Sequence, residues 1–197
     1  MTRIIAGAAR GRRLAVPAGR GTRPTADRAR EGLFSTLESL TGTLAATRVL
    51  DLYAGSGAVG LEALSRGAAA ALLVDSDDAA VRVIRANVDS LGLPGAEVRM
   101  GRAERIVAIA PDAEPFDVAF LDPPYELDDD TVRTVLGDAR ANGWLAPDAV
   151  VAVERVTRGG PWTWPAGYSP SRSRRYGEAT LWYGHADSSP AAPTTEV

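Results

Sequence analysis

The chain contains no cysteine and no lysine, and its single histidine is His185. Without cysteine there is no disulfide and no thiolate nucleophile, and a single histidine close to the C-terminus argues against a Ser/His/Asp triad and against a histidine-rich metal centre. No metal is therefore expected. No apolar run approaches the roughly twenty residues of a membrane span, and the start Met1-Thr2-Arg3-Ile4 lacks a secretory signal pattern. A cytoplasmic protein is expected. What is present is 197 residues with 45% hydrophobic content, enough for one sizeable core and a small appendage.

Charge is unevenly placed. Residues 1–30 hold eight arginines (Arg3, Arg10, Arg12, Arg13, Arg20, Arg23, Arg28 and Arg30) against one acid, Asp27, so this stretch carries +7 while the rest, on a total of −3, carries −10. A basic arm on an acidic body points to a polyanion, because guanidinium forks pair bidentately with phosphates and stack on bases. Such an arm is expected to extend from the core and add little to its stability. The plain alternative is a solvated basic face.

Residues 3–16 alternate loosely around glycines and read as a β-hairpin, within a basic extension over residues 1–22. Arg23-Pro24-Thr25 then leads into a helix with Thr25 as N-cap and Ala29, Leu33, Phe34 and Leu37 at helical spacing. Beyond it the pattern alternates. Strands are predicted at 48–52, 70–74, 96–100, 116–121 and 150–154, with helices near 58–66, 77–91, 103–109 and 129–141. That repetition implies a doubly wound, mostly parallel sheet. Residues 176–183 read as an antiparallel strand closing it, after a hairpin rich in proline, tryptophan and glycine at 159–170, in which Trp162 and Trp164 are packing residues. Residues 186–197 offer no apolar face and read as a disordered tail beyond a domain at 23–185. His185 reads as a tail residue without a role.

Two motifs carry chemistry. Gly55-Ser56-Gly57-Ala58-Val59-Gly60 lies between a predicted strand and helix, with Asp75 ending the next strand. This is the dinucleotide fingerprint, so an NAD-dependent dehydrogenase is a real alternative. Asp51 decides against it. An acid at the mouth of the loop suits the amino group of a bound amino acid and sits badly beside a pyrophosphate, whereas S-adenosylmethionine has ribose and adenine without phosphates. Asp75 fits the ribose of either cofactor.

The second motif is Asp122-Pro123-Pro124-Tyr125, directly after the apolar run 116–121. A planar amino group has a delocalised lone pair and attacks a methyl sulfonium poorly unless acceptors draw it towards tetrahedral geometry. Asp122 and the Pro123 carbonyl are the acceptors. Consecutive prolines fix φ and hold the carbonyls of the turn outward, and Tyr125 can stack on a target ring extruded from its helix. The bland alternative is a strand-ending turn.

These residues resemble the bacterial guanine-N2 methyltransferases of 16S ribosomal RNA that act on guanine 966 of the small subunit. Four segments carry the resemblance: residues 3–14 with their arginines, Arg23 to Glu31, Asp51 to Gly67, and Asp122 to Tyr125. It spans residues 3 to about 184. It implies a Rossmann-like class I domain with seven strands and an N-terminal hairpin, S-adenosylmethionine as cofactor, and an assembled or partly assembled small subunit as partner. Asp51, Tyr53, Ala54, Gly55, Ser56 and Gly57 then hold the methionine portion, Asp75 and Ser76 the ribose, and Thr25 approaches the cofactor carboxylate. Where relatives carry an acid after Gly101, this chain has Arg102 and then Ala103, so adenine would rest on backbone groups. RNA contacts are expected from Arg10, Arg12, Arg13, Arg23, Arg28, Arg172, Arg174 and Arg175, with Arg28 and Glu31 as an alternative ion pair. A monomer is expected. DNA adenine-N6 methylation, protein glutamine methylation and a non-catalytic rRNA-binding assembly factor are the other readings.

Overall fold

A computed structural model describes residues 2–17 and 24–188. The chain opens with two short antiparallel strands, β1 (Thr2–Arg3) and β2 (Arg13–Leu14), and continues through α1 (Pro24–Thr41). Helix α1 begins at Pro24, a residue suited to a first helical position because its missing N–H would be unpaired there anyway. Thr25 is therefore inside the first turn and not the N-cap, and Arg23 lies outside the described residues.

Strands and helices then alternate: β3 (Arg48–Leu52), α2 (Ala58–Ser65), β4 (Ala70–Asp75), α3 (Asp78–Leu91), β5 (Ala96–Met100), α4 (Ala103–Val107), β6 (Phe116–Leu121), α5 (Asp129–Ala141) and β7 (Leu145–Val156). Local chemistry sets these limits. The Asp77 side chain caps α3 by accepting from Ala79 N at 2.9 Å, and Gly92 ends the helix in the left-handed region at φ 63°. Asp128 caps α5 through Thr131 N at 2.7 Å, and its hydrogen bonds from Thr131 hold its carboxyl below the usual range.

The C-terminal segment forms two strands, not one. β8 (Tyr168–Tyr176) and β9 (Ala179–Ala186) are joined by a tight turn at Gly177-Glu178, where Gly177 takes φ 64°. The 176–183 strand expected from sequence thus straddles this turn, because its apolar alternation continues across it. His185 belongs to β9 and pairs with Val150, so it is not a tail residue. The rest of the expected tail, from residue 189, lies outside the described residues.

The seven-stranded order is β5-β4-β3-β6-β7-β9-β8, and β9 alone runs antiparallel. Strand alternation divides the core into two layers. Val49, Leu73, Val118, Phe120 and Ala152 face one side with Leu33, Phe34 and Leu37 of α1 and Leu61 of α2. Leu50, Val74, Leu121, Val151 and Val153 face the other, against α5 residues Val132, Val135 and Leu136, with Trp144 and Trp162. Trp162 is buried, and Trp164 stacks on Tyr168 at 5.8 Å, as packing residues should.

The N-terminal hairpin is docked, which overturns the expectation of an extended arm. Ile4, Ala9 and Leu14 are buried in the first layer. Glu62, fully buried on α2, accepts from Ile5 N at 2.7 Å, Ala6 N at 2.9 Å and Arg66 Nε at 2.9 Å. Ser65 bonds Ala8 and Ala9 nitrogens, and Gly7 approaches so closely that a Cβ there would lie 1.7 Å from the Ser65 oxygen. Arg30 reaches the Arg3 carbonyl at 2.5 Å and forms the i,i+3 ion pair of its turn with Asp27, so the pair expected between Arg28 and Glu31 is not the one α1 uses. No helix among the described residues is long and apolar enough to cross a membrane.

Candidate active site

Strand order reverses between β3 and β6, and in doubly wound sheets the crevice at such a switch point, beyond the carboxyl ends of the strands, binds ligands. A cavity of about 270 Å³ opens there. The cross-strand pairing explains its chemistry. Asp51 pairs with Phe120, and Leu121 with Val153, so Asp122 and Glu154 follow side by side on β6 and β7. By period-two alternation Asp51, Phe120, Asp122 and Glu154 share the sheet face that looks towards α1, and all four line the cavity.

Asp51 forms the floor and is 1% exposed. Its Oδ2 accepts from Gly60 N at 2.9 Å. Burial pushes its pKa up to about 7; the Gly60 bond opposes this, and the Asp122 and Asp75 charges add to it. The loop above it fits only glycine at one point: Gly57 has φ 77°, and a Cβ there would lie 2.9 Å from Leu73. Tyr53 also takes a positive φ, 65°, which costs a bulky L-residue about 1 kcal/mol or more. Its buried hydroxyl has no hydrogen-bond partner among the described residues. Burial pushes that hydroxyl's pKa upwards; Glu104 adds to the rise, and Arg102 and Arg155 oppose it.

Asp75 holds the loop more than it faces the cavity. Its Oδ2 accepts from Gly55 N at 2.8 Å and its Oδ1 from Asp77 N at 2.9 Å. Each oxygen keeps a second lone pair, so a ribose contact remains open to it. Ser76 is exposed in the turn after β4. Arg102 is exposed and directs its guanidinium to Glu104 at 3.6 Å, and Ala103, which opens α4, is buried.

Asp122 stands at the cavity rim, Pro123 is buried beneath it, and Tyr125 is 60% exposed. Arg155 secures this loop from below by donating to Leu127 O and pairing with Asp129, both at 2.7 Å. Two site residues carry no motif. Glu154 is a partly buried carboxyl pushed up to about 8 by burial and by the Asp122 charge. Asn87 joins the hairpin to the glycine loop: its Oδ1 accepts from Ala15 N at 2.8 Å, and its Nδ2 donates to Ala15 O and Ser56 O. Val16 and Pro17 thereby become cavity wall. A Glu in a Val-rich strand and an Asn in a helix are the only traces these two leave in the sequence.

The expected RNA-contacting arginines fall in two places. Arg10, Arg12 and Arg13 are exposed on the hairpin, although Arg12 also donates to Ser90 O at 2.5 Å. Arg3, Arg10 and Arg28 line a groove between hairpin and α1, with Asp27 and Glu31 among them. Arg172, Arg174 and Arg175 are exposed on β8, the edge strand. Tyr176 at its end packs on Gly32 of α1, so the two basic regions flank one helix.

This strand order, with the glycine loop after β3 and an acidic floor, defines a class I methyltransferase dependent on S-adenosylmethionine. The family described as "Conserved hypothetical protein 95" matches residues 2–185. The chain is 40% identical over 178 residues to ribosomal RNA small subunit methyltransferase D of Escherichia coli, covering 89% of this chain and 85% of that one. It is 34% identical to the protein of the same name from Haemophilus influenzae, covering 77% of each. Among solved structures, the Escherichia coli protein yhhF, a candidate methyltransferase, superposes with a TM-score of 0.82 at 34% identity, over 95% of this chain and 98% of that one. Magnesium protoporphyrin IX methyltransferase of Synechocystis, solved with S-adenosylmethionine bound, shares the fold alone, with a TM-score of 0.61 at 12% identity over 86% of this chain and 87% of that one. The chain belongs to the ribosomal RNA small subunit methyltransferase D family. The dehydrogenase alternative falls with that assignment.

Proposed function

We propose that the protein methylates the exocyclic N2 of a guanine in 16S ribosomal RNA of the small subunit. The observation that carries this reading is Asp122-Pro123-Pro124-Tyr125 at the rim of the switch-point cavity, two strand positions beyond the buried acid Asp51. The relatives' names point to ribosomal RNA of the small subunit, and the arginines of the hairpin and of β8 suit such a partner. A ribosomal substrate places the work in the cytoplasm.

The residues fit the cofactor. Asp51 offers a buried acceptor for an ammonium, the loop from Tyr53 to Gly57 permits close backbone approach, and Asp75 stands below it for the ribose. When bound, S-adenosylmethionine supplies an electrophilic methyl on sulfonium and departs as S-adenosylhomocysteine. This chain's residues do the rest. Tyr125 gives an extruded guanine a stacking surface, while Asp122 and the Pro123 carbonyl accept the N2 hydrogens and draw the nitrogen lone pair out of conjugation. Alignment supplies much of the rate, since the entropy of bringing the partners together is lost on binding. Asp122 takes the N2 proton during or after transfer.

A DNA adenine-N6 or protein glutamine methyltransferase would use the same motif. The hairpin arginines and the Arg-Pro-Thr segment favour the ribosomal reading. An assembly factor without turnover would have no use for an intact motif at the rim. Labelled cofactor incubated with small subunits from cells lacking the enzyme should yield N2-methylguanosine; label in N6-methyladenosine, or none in RNA, would overturn the proposal.

A further inference from the structure

Glu154 is the residue the fold itself does not explain. It sits in a partly buried position on β7, next to a second carboxyl, and among the described residues no donor hydrogen-bonds it. Holding a carboxyl there costs stability, and no hydrogen bond among the described residues offsets that cost. Buried acids elsewhere in this molecule do earn their place: Glu62, Asp51 and Asp75 each accept backbone N–H groups. Such a group in a cleft is a candidate for ligand contact.

Its position decides which ligand. Neighbouring strands are roughly 4.8 Å apart, so Glu154 on β7 lies about one strand spacing from Asp122, and two strands across and two residues along from Asp51 on β3. It is on the side of Asp122 away from the glycine loop. An ammonium accepted by Asp51 would lie out of its reach, whereas a base presenting an amino group to Asp122 would not.

Guanine carries an N1–H donor directly beside the N2 amino group. Adenine carries an unprotonated N1 acceptor beside N6, and so does 2-aminopurine beside N2. We infer that Glu154 is the specificity-determining residue of this site, accepting N1–H of the target guanine while Asp122 and the Pro123 carbonyl hold N2. Two carboxyls side by side match two adjacent donors, and a ring with an acceptor at N1 would meet a carboxylate lone pair to lone pair. The inference rests on the guanine-N2 reading above.

The test compares small subunits reconstituted with 16S rRNA carrying guanine or 2-aminopurine at the mapped target, on the alkaline side of the raised Glu154 pKa. Both bases offer the amino group; only guanine offers N1–H. Wild-type protein should prefer guanine by about 100-fold in kcat/KM, the scale expected when one partly buried acceptor is left without its donor. Glu154→Gln, which presents an amide N–H to N1 and its carbonyl to N2, should lose or reverse that preference. Its cofactor affinity should stay close to wild type, and its melting temperature should not fall, because the amide removes a charge that burial disfavours. Subunit affinity measured with S-adenosylhomocysteine present should follow the same ranking, separating recognition from turnover. Equal use of both bases by wild-type protein overturns the inference without any variant, as does an unchanged preference in Glu154→Gln. A wild-type product other than N2-methylguanosine removes the guanine-N2 reading and this inference together.

Discussion

The two halves of the cleft use their acids differently. On the cofactor half, β3 and β4, Asp51 and Asp75 are tied to backbone nitrogens of the loops they support. On the acceptor half, β6 and β7, Asp122 and Glu154 stand side by side and both line the cavity. One half is wired before any ligand arrives, so its acids serve geometry first and binding second. The other lines the space into which a substrate must be extruded, oriented and released.

That contrast can be broken by substitution. Asp122→Ala should lower methyl transfer about 100-fold or more and leave cofactor affinity within a few-fold, since the acceptor acts mainly in the transition state; initial rates and calorimetry give both numbers. An active Asp122→Ala protein would erase the distinction between the halves. Asp75→Ala should act in the opposite sense. It leaves the Gly55 and Asp77 nitrogens unpaired, at about 1–3 kcal/mol each, so both stability in denaturant and cofactor affinity should fall, and a normal dissociation constant would show that the acid supports only the loop.

Asp51 sharpens the comparison through pH. Its folded pKa, about 7, lies above the unfolded carboxylate value, so the folded state holds the proton more tightly and this group lowers stability progressively as pH rises from about 4 to 7. Above that range its effect is constant. Asp51→Asn removes the charge, so the stability of the variant relative to wild type should rise across this window, by up to a few kcal/mol, and then level off. Urea unfolding at stepped pH reads the difference, and a constant offset would refute the assignment. The smallest effect is expected at the edge strand. Replacing Arg172, Arg174 and Arg175 by alanine should reduce the salt dependence of subunit binding by roughly 0.7–0.9 of a slope unit per lost phosphate contact, with the melting temperature hardly changed. Adding Arg12→Ala should lower melting as well, because that side chain also holds Ser90.

The sequence foretold the parallel sheet well because buried strands and capped helices leave local signals. The 48–52, 96–100 and 116–121 strands and the 129–141 helix fall at the observed limits. It failed where a signal is not local. A two-residue turn at Gly177 cannot be told from continued alternation, and the docking of the hairpin depends on Glu62, which in sequence is one acid in an apolar helix. In the same way the glycine loop and Asp122 were legible as motifs, whereas Glu154 becomes a site residue only when β6 and β7 are laid side by side.

Asn87 gives the molecule a clock. It closes the hairpin over the glycine loop by bonding Ala15, seventy-two residues earlier in the chain. At translation rates of about 5–20 residues per second, the arginine-rich start emerges roughly 4–14 s before its clasp is made. For that interval the second half of the hairpin lacks its tie through Asn87 to Ser56, and Val16 and Pro17 are not yet held as a cavity wall. A nascent chain stalled before residue 87 should therefore be cut by a protease at Arg12 or Arg13, and one stalled well beyond it should resist; equal cutting of both would show that the hairpin docks without the clasp.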